Sequence, residues 1–191
     1  MDAITISLPS DLVAEITCLD PDTVKGLLPA LAERGLARHI AARDLWQLTP
    51  DGRTRHAELL LGVSGSEVEG LREHYERFLE LNDEFKALCG DWQLRGGQPN
   101  DHSDAGYDAA VIDRLVALNV RAVPLVTAMG EVLTRLAPYG PRLTATCAKV
   151  VAGDGKMFTG VMCGSYHDVW MELHEDLILT QGIDRAAEGS F

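Results

Sequence analysis

The sequence predicts a mainly α protein in two parts: an N-terminal helix-turn-helix with a two-stranded hairpin, over residues 1–62, and a helical domain over residues 63–191. Three observations predict it. Between Asp20 and Gly52 the chain strings together a capped helix, a stop, two short strand-like segments and a turn. Beyond Gly62, apolar residues recur at three- and four-residue spacing over runs too long for strands. With 46% hydrophobic residues in 191, the chain has enough apolar mass for one substantial core or two small ones.

The elements follow in order. Ile4-Thr5-Ile6-Ser7-Leu8 alternates like a strand. Ser10 to Thr17 forms a first helix, with Ser10 as its cap and Leu12, Val13 and Ile16 on one face; Cys18 and Leu19 make the turn. Asp20 caps the second helix, Pro21 sits where a missing N–H costs nothing, and Asp22 complements the positive helix end. Val24, Leu27, Leu28 and Leu31 mark its apolar face, and Gly35 supplies a left-handed stop. Pro29 inside this helix removes a backbone donor, at roughly 3 kcal/mol, and predicts a kink. Leu36 to Ile40 and Leu45 to Leu48 read as strands around an Ala41-Ala42-Arg43-Asp44 tip, and a third helix follows with Arg53 and Arg55 near its start.

The run "LAERGL…LWQLTPDGR", in both spacing and residue type, resembles the winged-helix domain of MarR-like bacterial transcriptional regulators from Pro9 to about Leu60. The resemblance implies a reader of double-stranded DNA. The N-terminal end of the second helix would enter the major groove, with Asp22, Thr23 and Lys25 nearest the bases. Arg38 and Arg43 on the wing, with Arg53 and Arg55 on the next helix, would contact phosphates. One module buries little area, so a homodimer reading two half-sites is expected.

Charge opposes this reading. The net charge is −12, which repels a polyanion. It is uneven: residues 1–60 hold nine acidic and six basic side chains, residues 61–191 hold 20 and 11. All five arginines of the first part fall between Arg34 and Arg55, beside His39 and His56, a local positive patch.

In the second part Ser66 and Glu69 have capping-box spacing, and Val68, Leu71, Tyr75, Phe78, Leu79, Phe85 and Leu88 mark a long helix to about Trp92. Arg95 to Gly106, RGGQPNDHSDAG, reads as a loop or hinge. Helical spacing resumes from Tyr107 to about Leu136, with a kink or break expected at Pro124. Pro138-Tyr139-Gly140-Pro141 ends it, Leu143 to Val151 is a shorter helix, and Ser165 to about Leu179 is the last.

The last helix places His167, Trp170, His174 and Glu175 on one broad face. If the loop bearing Asp101, His102 and Asp104 folds over that face near Trp92, a pocket for a small-molecule effector or a divalent metal results. The competing reading makes these residues the core margin. His167 and His174 are two turns apart, about 10 Å by helix rise, so they need not meet at one ion.

Recognisable chemistry is otherwise absent. Gly153-Asp154-Gly155-Lys156 lacks the pattern of a phosphate loop; no GxSxG, HExxH or CxxC occurs. No catalytic residue, metal or cofactor is assigned. Cys18, Cys89, Cys147 and Cys163 read as reduced thiols, no run is apolar enough to cross a membrane, and a cytoplasmic protein is expected. The sequence thus predicts a DNA-binding regulator with a dimerising or effector-sensing helical domain. Its alternatives are a protein-interaction module that does not bind DNA and, third, a small enzyme using the His/Asp cluster.

Overall fold

The structure, a computed structural model, describes residues 7–183. The chain is mainly helical, and its contacts divide it into two units, Met1–Val63 and Ser64–Phe191.

The first unit runs β1 (Ser7–Leu8), α1 (Ser10–Thr17), α2 (Pro21–Glu33), β2 (Ala37–Ile40), β3 (Leu45–Leu48) and α3 (Pro50–Leu61). Ser10 is not a cap. Pro9 takes the extended cap conformation, so Ser10 is already the first helical residue, and left-handed Cys18 (φ 52°) ends the helix. Asp20 caps α2 as expected, its carboxylate accepting from the Thr23 amide at 2.8 Å. At the other end Gly35 takes φ 71°, while the Leu36 amide donates to the Leu31 carbonyl and the Gly35 amide to that of Ala32, a Schellman close.

Val24 and Leu28 are buried against Ala14, with Val13 and Trp46 packed beside them. Leu27, expected on the inward face, is 47% exposed, because the short α1 covers only a narrow stripe of α2. The helix continues through Pro29 to Glu33.

The sheet order is β1-β3-β2, all antiparallel, with Ala37 opposite Leu48 and Leu8 opposite Trp46. The strand expected over residues 4–8 is present at Ser7–Leu8; Ile4 to Ile6 lie outside the described residues. Side chains bind the three strands: Arg38 Nε donates to Gln47 Oε1 at 2.6 Å, and Gln47 Nε2 donates to Ser7 Oγ at 3.1 Å.

The second unit runs α4 (Gly65–Gln93), β4 (Leu94–Arg95), β5 (Gln98–Pro99), α5 (Ala105–Val132), a 3-10 turn (Thr134–Leu136), α6 (Tyr139–Val151), α7 (Lys156–Thr159) and α8 (Tyr166–Gln181). The capping box of α4 is Ser64 with Glu67, two residues before the expected pair; Ser66 and Glu69 share the spacing but lie inside the first turns. Ser64 donates to the Glu67 carboxyl and holds it below the usual carboxylate range. No break occurs at Pro124: α5 is assigned continuously to Val132. The preceding helical stretch does end at Leu136, before Pro138, but the segment from Pro138 to Pro141 is not a linker up to Leu143. It opens α6, where the first amides have no intrahelical acceptor and proline is tolerated.

The core follows from spacing. Leu71, Phe78, Phe85 and Trp92 are buried seven apart on α4; Val111, Leu115, Leu118, Ala122, Leu125 and Met129 alternate four and three on α5. Glu84 pairs with Arg121 and Asp91 with Arg114, so residue numbers rise on one helix as they fall on the other and the two are antiparallel. Among the described residues, no helix is long and apolar enough to cross a membrane.

None of the four cysteines is joined in a disulfide. Cys18 is exposed, whereas burial pushes the Cys89 thiol up to about 12. At a pH of about 8, iodoacetamide is expected to label Cys18 and spare Cys89 in the native protein. Peptide mass analysis reads the difference, and equal labelling of both would contradict it.

Candidate functional site

Arg95 to Gly106 is not a free hinge. Gly96 and Gly97, both at positive φ (58° and 81°), close the β4–β5 hairpin with the handedness that two-residue turns require. Asn100 then ties the chain back to the end of α4, its amide donating to the Gln93 carbonyl at 2.8 Å and its side chain to that of Trp92 at 3.1 Å. Asp104 caps α5 by accepting from the Gly106 and Tyr107 amides, which, with Arg95, hold its carboxyl below the usual range.

These anchors place His102. Its backbone is left-handed (φ 55°), its amide donates to Asn100 Oδ1 at 3.2 Å, and its ring lies 4.5 Å from that of Trp92. Nδ1 meets Asp108 Oδ2 at 3.0 Å, while Asn100 Nδ2 donates to Asp108 Oδ1 at 3.1 Å. Facing this pair, the Gly153–Gly155 turn, Lys156 and Thr159 of α7, and Gly160 complete a cleft of about 470 Å³. Gly155 approaches the Trp92 ring closely: an added Cβ would lie 3.0 Å from it, and the ring would have to give by a few tenths of an ångström.

Of the expected pocket residues, the structure brings together Trp92 and His102. Asp101 is exposed and turned onto Ser103, whose hydroxyl and amide hold its carboxyl below the usual range. The face of α8 belongs to the core instead. Trp170 is fully buried between Phe78 and Phe85, its indole N–H donating to Asn82 at 2.9 Å. His174 is 2% exposed beside Tyr75 and Phe78, His167 lies 6.2 Å from the Phe85 ring, and Glu175 is half-buried. None of these four lines the cleft. His167, Trp170 and His174 meet rings of α4, and the apolar stripe of α8 (Val169, Leu173, Leu177) is buried with them.

Sequence reasoning missed Asn100, Asp108, Lys156 and Thr159. Asp108 carried a signal: it stands one helical turn after the capping Asp104 and six residues after His102.

In the first unit the expected DNA contacts are exposed: Asp22, Thr23, Lys25, Arg38, Arg43, Arg53 and Arg55. Most have neighbours. Thr23 Oγ1 donates to Asp20 at 3.0 Å, and Lys25 pairs with Asp22 at 3.4 Å. Arg38 holds Gln47, Arg53 donates to the Leu48 carbonyl at 3.1 Å, and Arg55 pairs with Glu58 at 3.0 Å. Exposed pairs of this kind are worth about 0–1 kcal/mol and exchange readily for a phosphate.

Comparisons of the chain with protein-family models, curated proteins and solved structures found no match.

Proposed function

We propose that the protein is a homodimeric DNA-binding regulator whose first unit is a winged helix and whose second unit holds a small-molecule effector in the Trp92–His102 cleft. One observation supports the reading: two short helices joined by the Cys18–Asp20 turn and followed directly by a β-hairpin, with Thr23, Lys25 and all five arginines of this unit exposed. In this arrangement α2 reads the major groove, and Arg38, Arg43, Arg53 and Arg55 set register on phosphates. An effector acts by its differential affinity for the DNA-competent and DNA-incompetent states.

A second reading, a protein-docking module, is favoured by Leu27, an apolar side chain 47% exposed on the helix that would otherwise face DNA. Titration of genomic promoter fragments at two salt concentrations separates the two. A regulator loses affinity steeply with salt, and Arg43→Ala together with Arg53→Ala lowers the slope of log K against log salt by about 2. No binding at low salt leaves the docking module.

A further inference from the structure

The geometry points to a ligand class for the cleft: a small oxyanion, carboxylate or phosphoryl, that also carries a hydroxyl proton. The inference rests on reading the cleft as the effector site and adds what the effector must offer.

The partners of His102 fix its tautomer. The Asp108 carboxylate only accepts, and its Oδ2 lies 3.0 Å from Nδ1, so Nδ1 carries the proton. Asn100 does not compete for it, since its amide hydrogens are directed to the Trp92 carbonyl and to Asp108 Oδ1. In the neutral ring Nε2 is then left with its lone pair, an acceptor for a ligand O–H.

Charge selects the other half. Asp108, 16% exposed, directs both oxygens back at Asn100 and His102. Asp104 is paired with Arg95 at 2.8 Å, and Asp101 faces Ser103. Lys156 is exposed at the cleft wall and, among the described residues, no carboxylate pairs with it. Its ammonium, on the cleft wall that Thr159 also lines, is the group that an oxyanion would meet. Trp92 is 7% exposed and already packs against His102 and Phe158 (5.0 Å), which leaves little indole surface for stacking. The indole face is thus already covered, and the groups left for a ligand to bond are the His102 ring, Lys156 and Thr159.

The test uses the full chain with three probes: glycolate, acetate and inorganic phosphate. Glycolate and phosphate are expected to bind and to move the Nε2 resonance of His102 in long-range nitrogen–proton spectra, with acetate about tenfold weaker for want of the hydroxyl. Lys156→Gln should weaken glycolate and phosphate about tenfold. His102→Asn, which tolerates positive φ, should abolish the discrimination between glycolate and acetate. Equal affinity for glycolate and acetate, or indifference to Lys156→Gln, overturns the assignment. Anion binding that follows these rules but leaves DNA affinity unchanged upholds the ligand class and removes the sensing role. DNA affinity that responds to other small molecules while these anions do not bind removes the ligand class alone.

Discussion

Replacing Trp170 by alanine is expected to lower the unfolding free energy by about 3–5 kcal/mol, the range for deleting a large buried aromatic. The residue is fully buried, with Phe85 at 4.8 Å, Phe78 at 5.0 Å and Tyr166 at 6.0 Å, so α4 and α8 lose their largest shared contact. Truncation also strands Asn82, 2% exposed, whose side-chain oxygen accepts the indole N–H. Trp170→Phe separates the two losses. It keeps most of the ring and removes the donor, for about 1–3 kcal/mol. Urea unfolding followed by far-ultraviolet dichroism measures both. A pocket residue would behave otherwise, with a change under about 1 kcal/mol and altered ligand affinity in its place; that result would return α8 to the binding site.

The same helix shows why a binding face and a core face look alike in sequence. His167, Trp170 and His174 recur at three- and four-residue spacing, and periodicity reports only that they share a side. Whether that side meets a partner helix or an opening depends on α4, whose Tyr75, Phe78 and Phe85 fill the space. Local signals were reliable where the physics is local. Asp20 and Pro21 start α2, Gly35 ends it and Gly182 (φ 64°) ends α8, because each is settled by atoms within a turn of chain. Proline did not mark helix ends: Pro29 and Pro124 stand at exposed positions inside continuous helices, and Pro141 lies in the first turn of α6, where a missing donor costs little. For the cleft, Trp92 and His102 were legible as a neighbouring aromatic and histidine. Lys156 and Thr159 were not, since their approach depends on α6 and α7 returning the chain to the end of α4, a contact spanning some sixty residues.

Gly52→Ala is expected to unfold the first unit, at a cost above about 4 kcal/mol, although glycine-to-alanine changes in helices usually stabilise. Gly52 lies in the first turn of α3, where an added Cβ would stand 1.9 Å from the Leu36 carbonyl oxygen and 2.9 Å from its carbon. Both are backbone atoms and cannot swing aside as a side chain would. That carbonyl also accepts from the Thr49 amide at 3.1 Å, while Thr49 Oγ1 donates to the Gly35 carbonyl at 2.6 Å and accepts from the Gly52 amide at 3.0 Å. The end of α2, the base of the hairpin and the start of α3 thus converge on one hydrogen-bonded knot, and the methyl group separates all three. Gly26→Ala supplies the opposite sign in the same unit. It lies inside α2 with nothing within 4 Å of the added carbon, so it should stabilise by about 0.5–1 kcal/mol. Hydrogen exchange across α2 and the hairpin reads both: protection is expected to collapse in one variant and rise in the other. Retained protection in Gly52→Ala would mean that α3 does not start against Leu36, and the hairpin would then lack the support that places Arg38 and Arg43.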